Sequence, residues 1–537
     1  MVRRSSDSER RDRRPGADEA EGTMLRRIHR SIWMAGIALG LAGATGAQTG
    51  PPVFTDGVAS GDVTSTSAIL WTRVDRDAAV KVEVWSNPQL KGKKAFQKTV
   101  PHVSAAHDFT VKIDATGLAP DTAYSYRFKH EDNDGSSYSD VGAFRTAPDP
   151  GSASDVRFTY TGDADGTRKP GGAPAFNEFE VLEAARLEGG AFWVFDGDTI
   201  YADSSFRPSP ATTLAEYHAA HRENRGYENL RELLAATSVY ATMDDHEVVN
   251  DYDAATVDPA RYAAGRQAFL DYYPVRETGL PHDPTCAGDP LYRRFRWGSE
   301  VEVFLLDERS CRSASAVGIC GGDLGPTLPP PVRTSFPFSI FLPPLPPPGC
   351  LQTLFDPART LLGPVQKAQL FADLAASTAK WKLVVSEEPV QQFFALPYDR
   401  YEGYPVERAD LLAFIQQNGI VGVKFLTTDT HATLLNQVAI DFFTAPAPIA
   451  VELVTGPIAT NTFEREVISV AGQFGLAIFN GLLTQVGLDC RNLNRNSYAL
   501  VEELAGAGTL TLASKDENGA VIVDPITTGQ CTITDGP

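Results

Sequence analysis

Phe192-Trp193-Val194-Phe195-Asp196-Gly197-Asp198-Thr199-Ile200-Tyr201-Ala202-Asp203 is the stretch on which the fold turns. Its apolar run fits a parallel strand covered on both faces, and it stops abruptly at Asp-Gly-Asp. Carboxylates therefore emerge at the C-terminal end of a strand, the edge at which open α/β sheets place their ligands. A glycine between two acids predicts a sharp turn and a close approach of the backbone to something bound.

The same grammar recurs on either side. Val156-Arg157-Phe158-Thr159-Tyr160-Thr161 ends in Gly162-Asp163, and Val239-Tyr240-Ala241-Thr242-Met243 ends in Asp244-Asp245-His246-Glu247. Val421-Gly422-Val423-Lys424-Phe425-Leu426-Thr427 ends in Thr428-Asp429-Thr430-His431. Helical spacing is predicted at about 175–187, 211–236, 259–272, 364–376 and 410–418, with further strands at 302–306 and 381–385. Strands alternating with helices predict an α/β domain over 150–537. Four strand ends bearing metal-competent groups predict one shared site. A binuclear hydrolytic centre needs a carboxylate that can bridge two cations, several terminal oxygen or imidazole ligands, and a hydroxide that attacks phosphorus in line. Oxygen-rich ligation favours hard ions such as Ca²⁺, Mn²⁺ or Fe³⁺.

Residues 51–149 read differently, as short half-buried strands separated by turns. Thr116-Gly117-Leu118-Ala119-Pro120-Asp121-Thr122-Ala123-Tyr124 is similar to the corner signature of fibronectin type III-like sandwiches. Ala147-Pro148-Asp149-Pro150-Gly151 reads as a linker. Beyond it, a Pro-rich insertion at about 311–356 predicts an irregular surface loop pinned by disulfides. Six scattered cysteines lack the spacing of a zinc site and predict two or three bridges, of which Cys311 with Cys320 would close the shortest loop. The segment from 498 to 523 reads as a hairpin around Asn518-Gly519.

Residues 1–47 stand apart. A polar, charged stretch to residue 22 reads as disordered. Then a basic segment with Arg26-Arg27, an apolar run from Ile32 to Ala44 and small residues make a signal peptide, with export possible by the twin-arginine route. The run is too short for a stable membrane span. The net charge of -20 argues against nucleic acid or an anionic membrane as partner, yet leaves phosphate substrates open, because bound cations reverse the local field.

Taken in order, Gly162-Asp163, Gly197-Asp198-x-x-Tyr201, Asp244-Asp245-His246-Glu247 and Asp429-x-His431 resemble the PhoD-like alkaline phosphatase/phosphodiesterase family of calcineurin-like metallophosphatases. Gly57-Val58-Ala59-Ser60-Gly61-Asp62-Val63 and Leu306-Asp307-Glu308-Arg309-Ser310 carry the resemblance across nearly the whole mature chain. It implies an α/β metallophosphatase core, a β-sandwich flanked by helices, preceded by a small all-β immunoglobulin/fibronectin-like sandwich. It further implies that Asp198 bridges two metals, that Tyr201, Asp163 and His431 complete a ferric ion, and that Asp245 and Asp429 hold a second ion, calcium. His246 would donate a proton to the leaving group, and Arg309 would clamp phosphate. Many family members carry Cys where this chain has Asp163, which makes the ligand set here harder. The implied activity is that of an exported phosphoesterase acting on small or polymeric phosphate esters. The alternatives are a phospholipase D-like phosphodiesterase and a non-catalytic surface protein on the same fold.

Overall fold

The computed structural model describes residues 50–536 other than 133, 134, 278, 322–324, 337, 338, 340, 341 and 395–397. The expected signal within 1–47 lies outside the described residues. Along the strand Phe192–Asp196 the side chains alternate between two cores. Phe192 and Val194 join Phe158, Tyr160, Val303, Leu383 and Leu453 on one side, while Trp193 and Phe195 join Leu182, Leu230 and Phe269 on the other. A strand buried on both faces leaves no position for polar residues, which accounts for its unbroken apolar run. Each such side chain contributes about 1.5–3 kcal/mol relative to exposure.

That strand lies at the centre of a nine-stranded sheet. Its order, edge to edge, is Thr532–Asp535, Thr509–Lys515, Tyr498–Leu504, Val156–Thr161, Phe192–Asp196, Ser238–Thr242, Phe54–Gly61, Ser67–Val74 and Thr110–Thr116. A seven-stranded sheet faces it, in the order Arg293–Trp297, Val301–Leu305, Trp381–Ser386, Val423–Thr427, Ala445–Val454, Thr433–Asp441 and Cys490–Asn492. Helices Glu180–Leu187, Glu228–Ala236 and Pro259–Tyr272 cover the outside of the first sheet, and Gly363–Ala376 and Pro405–Gln417 the outside of the second. The β-sandwich flanked by helices is thus present.

The small N-terminal sandwich is present too, but it shares a sheet with the larger domain. Its separate sheet comprises Phe96–Val100, Val80–Trp85, Ala123–Asp132 and Gly135–Tyr138, with Gly142–Arg145 pairing beside Ala123–Asp132. Val82, Val84, Tyr126 and Phe128 of that sheet pack on Val58, Leu70, Val111 and Ile113, which belong to the nine-stranded one. Parallel pairing of Ser60 with Ser238 and of Gly61 with Val239 makes the connection. The Tyr124 hydroxyl accepts the Ala119 N–H at 2.9 Å, holding the corner at Pro120.

Several local expectations are corrected. The helix expected over 211–236 is two, Leu214–Arg225 and Glu228–Ala236, divided at Gly226. The bridges are Cys286–Cys311, Cys320–Cys350 and Cys490–Cys531, so Cys311 does not pair with Cys320. The Ala287 N–H donates to the Ser310 carbonyl at 2.8 Å and brings Cys286 against Cys311, a tertiary contact that loop length cannot reveal. The C-terminal hairpin joins Tyr498–Leu504 to Thr509–Lys515 and turns at 505–508, while Asn518-Gly519 forms the next turn, leading back to a lone bridge between Lys515 and Val521. Phe463–Gln485 is a helix the sequence reading did not assign. Gly472, at φ 65°, breaks it into two helices, and beyond its first turn it lacks the charged face that marks helical periodicity.

Gly61 marks the joint between the two parts of the long sheet. A Cβ there would stand 2.6 Å from the carbonyl oxygens of Pro274 and Val239 and 2.7 Å from Pro274 Cγ. Gly61→Ala is therefore expected to destabilise the chain by about 1–3 kcal/mol, read as a lower denaturant midpoint with the strand-end acids untouched.

Candidate metal centre

Asp163, Asp198, Asp245 and His246 follow three neighbouring strands of the nine-stranded sheet, and Asp429 and His431 follow the strand Val423–Thr427 of the other. The site thus forms where the ends of both sheets meet. The Thr428 hydroxyl ties them together by donating to the Asp196 carbonyl at 2.6 Å. Gly197 turns the chain at φ 71°, and a Cβ there would lie 2.7 Å from Asp244 Cβ. Asp163, Asp198, Asp429 and His431 all adopt left-handed φ, between 50° and 65°. Such conformations persist in non-glycine residues where surrounding structure enforces them, and they gather at functional sites.

The donors fall into overlapping groups. Oxygen or nitrogen atoms of Asp163, Asp198 and His431 lie within 4.8 Å of one another, and so do those of Asp198, Asp245 and His246. Asp198 belongs to both. The Tyr201 hydroxyl lies 3.0 Å from His431 Nε2, and its ring stacks on His246 with centroids 4.0 Å apart. Asp429 groups with Asp244 and Glu388, whereas Asp245 also groups with Asp251 and Asp399. Asp245 and Asp429, the pair read from the sequence for the second ion, thus fall in separate groups among the described residues.

Both imidazoles are oriented from behind. His246 Nδ1 lies 2.5 Å from Asp203 Oδ1, and the Asn250 N–H donates to the other Asp203 oxygen at 2.7 Å. His431 Nδ1 lies 2.8 Å from Glu466 Oε1. With Nδ1 engaged, His246 directs Nε2 toward Asp198 and Asp245, at 4.0 and 3.9 Å, and His431 directs Nε2 toward Asp163, at 3.8 Å. Carboxylates behind ligating or proton-donating histidines fix the tautomer and ring orientation. Sequence reading missed both partners. Asp203 lies only five residues beyond Asp198, inside the quoted stretch, while Glu466 sits on the unassigned helix.

The clamp expected of Arg309 does not fit its placement. Its side chain is 0% exposed and its guanidinium is enclosed by acids. It bonds both Asp399 oxygens at 2.9 and 2.8 Å, approaches Glu388 at 2.6 Å and Asp245 at 3.4 Å, and bonds Asp244. Arg309 is a counter-charge for buried carboxylates, joined by Arg312, which pairs with Asp399 and Glu388.

Electrostatics show what the site lacks without cations. Burial pushes the Asp163 carboxyl up to about 7, against the pull of His431. Burial likewise raises Asp198 well above the carboxylate range, with Asp245 and Asp244 adding repulsion and His246 opposing it. Burial would lower the two histidines, but the neighbouring acids prevail: Asp198 and Asp245 hold His246 well above its ordinary value, and Glu466 with Asp163 holds His431 up at about 9. Asp163 Oδ2 and Glu388 Oε2 are buried with no hydrogen-bond partner. Orphaned buried oxygens among repelling carboxylates fit a cation, and an oxygen and imidazole donor set without thiolate fits a hard one.

The chain is similar to known phosphatases. A family model for PhoD-like phosphatase matches residues 171–495, and one for the PhoD-like phosphatase N-terminal domain matches residues 40–148. Alkaline phosphatase D of Bacillus subtilis (strain 168) is 29% identical over 455 residues, covering 76% of this chain and 71% of that protein. A solved structure of PhoD superposes with a TM-score of 0.69 at 23% identity, over 91% of this chain and 90% of that one. Purple acid phosphatase PPD1 from yellow lupin (Lupinus luteus) seeds superposes at 0.54 with 12% identity, over 90% and 74%. At those identities the two structures speak for the fold alone.

The shifts set a pH dependence for metal-free protein. Asp163 is raised from the usual carboxylate range to about 7, so between those values the folded state holds the extra proton and stability falls as pH rises. His431, raised to about 9, continues the fall above its ordinary value. Chelator-treated protein is expected to melt lower at pH 8 than at pH 5, and added divalent cation to reverse most of that loss in thermal melts.

Proposed function

The chain belongs to the PhoD-like phosphatase family, a metal-dependent phosphoesterase by that membership, and on this premise we propose an exported binuclear enzyme that hydrolyses phosphate esters. One observation carries the reading: the Asp198 carboxylate is common to two donor groups, as a bridging ligand must be. Asp163, His431 and Tyr201 would hold one ion with Asp198, and Asp245 and Asp429 the other. The donor set suits Fe³⁺ at the tyrosine side and Ca²⁺ at the acidic side, with Mn²⁺ or another divalent ion as substitutes. When bound, the two ions supply Lewis-acid charge and an activated water for attack on phosphorus.

The chain's own residues do the remainder. Asp203 holds the His246 ring so that its Nε2 proton faces the reacting centre. As the bond between phosphorus and the leaving oxygen breaks, the electron pair stays on that oxygen, which takes the Nε2 proton from His246. Arg309 and Arg312 offset the charge of Asp244, Asp245, Glu388 and Asp399 behind the ligands. Three disulfides, with no free cysteine among the described residues, support an oxidising compartment and thus export.

Two measurements test the roles. Protein purified without chelator is expected to hold two ions per chain. Asp198→Asn should lose at least one of them and lower kcat/KM on aryl phosphates by about 10³-fold or more, and unchanged metal content would sink the bridging role. His246→Ala is expected to cost about 10²–10⁴-fold on an alkyl phosphate, but far less on p-nitrophenyl phosphate, whose leaving group needs no proton. Equal losses on both esters would remove the general-acid assignment.

A further inference from the structure

Asp163 is held by a segment to which the sequence reading gave no role, Thr455-Gly456-Pro457-Ile458-Ala459. It follows the strand Ala445–Val454 out of the seven-stranded sheet and crosses to the turn after Val156–Thr161. The Thr455 N–H still donates to the Thr427 carbonyl at 3.0 Å, continuing the parallel pairing with Val423–Thr427. Three residues later the partners have changed. The Ile458 N–H donates to the Gly162 carbonyl and the Ala459 N–H to the Asp163 carbonyl, both at 2.9 Å, and the Asp165 N–H donates to the Ala459 carbonyl at 2.8 Å. These bonds fix the main chain of Asp163 in its left-handed conformation.

Gly456 lies between the two sets of bonds, at φ 112°. Ser497 Oγ accepts the Gly456 N–H and donates to the Gly456 carbonyl, each at 3.0 Å, so this residue too is fixed. A Cβ on Gly456 would overlap Asp163 Oδ2, while the next nearest atoms, Asp163 Cγ and the Gly162 carbonyl oxygen, would be 3.7 and 3.8 Å away. The conflict is with one atom. Both main chains are bonded in place, whereas the carboxylate turns about its own side-chain bonds, so the carboxylate is the part that would yield. Asp163 Oδ2 is buried with no hydrogen-bond partner, and no bond of its own would draw it back.

We propose that Gly456 is a positioning residue of the metal centre: the room left by its missing side chain is the place Asp163 Oδ2 occupies, and it sizes position 163 for an aspartate. The consequence for the ion held by Asp163, His431 and Tyr201 rests on the binuclear phosphoesterase reading, whereas the fit between Gly456 and the carboxylate does not. A backbone role alone, the positive φ, would make alanine costly whatever residue stands at 163. The fit makes that cost depend on the residue at 163.

Metal content and denaturant midpoints of the full chain test the fit. Gly456→Ala, purified without chelator beside the wild type, is expected to lose the ion of the Asp163 group and keep the other. In Asp163→Cys the sulfur takes the place of the carboxyl carbon, which the added Cβ clears at 3.7 Å. Gly456→Ala combined with Asp163→Cys should therefore hold as much metal as Asp163→Cys alone. After chelation, Gly456→Ala should lower the midpoint less in the Asp163→Cys background than in the wild-type one. Equal midpoint losses in the two backgrounds overturn the proposal, as does a Gly456→Ala chain that keeps all the wild-type metal. Should Gly456→Ala fail to fold, Asp163→Glu, which drives the carboxylate toward Gly456 on an unchanged main chain, is expected to lose the same ion, and full retention there also overturns the proposal. Wild-type protein that holds no metal, with unequal midpoint losses between the two backgrounds, upholds the fit and removes the binuclear reading.

Discussion

Carboxylates packed together out of water repel one another, and the two sheets bring Asp163, Asp196, Asp198, Asp244, Asp245, Glu387, Glu388 and Asp429 to one buried junction. Burial alone drives most of these groups toward their neutral forms. Arg309 and Arg312 answer part of the charge from below, and the histidines answer part from the side. The rest is left for bound cations to offset, so the local fold and the occupancy of the site are thermodynamically one problem. An apolar set of side chains would be easier to bury and would hold no metal.

Much of this was legible in the sequence, because strand ends obey a simple rule. An apolar run buried on both faces must stop where its sheet ends, so acids placed one or two residues after Thr161, Asp196, Met243 and Thr427 were marked by contrast with what preceded them. Resemblance then gave the order of motifs its meaning. The illegible parts are those set by tertiary contact. Nothing near Arg309 in the chain shows that Asp244, Glu388 and Asp399 converge on its guanidinium, so a strand-end arginine read as a phosphate clamp. Asp203 stood inside the quoted stretch without a signal of its own, since its partner His246 lies on the next strand's loop. Glu466 was hidden by a helix whose glycines and missing charges erase the usual periodicity.

The N-terminal sandwich shows a further limit of reading by segments. Its strands have the half-buried alternation of an independent module, and the chain changes style at the linker near residue 149. Hydrogen bonding ignores that change: Phe54–Gly61 continues the sheet beyond Ser238–Thr242. Alternation reports which face of a strand is buried and carries no information on which strand lies alongside. Gly61 is where the information was available, as a residue small enough for Val239 and Pro274 to approach.

The order of the nine-stranded sheet also bears on how the chain is made. Its central strands, from residues 156–242, are flanked by strands from 54–116 on one side and from 498–535 on the other. Synthesis delivers the first flank before the central strands and the second long after them. Until residues 498–504 leave the ribosome, Val156–Thr161 presents an open parallel-sheet edge, and pairings this distant along the chain form slowly. A nascent or truncated chain that stops short of residue 498 is therefore a sticky half-sheet. Its safe handling falls to chaperones rather than to the fold.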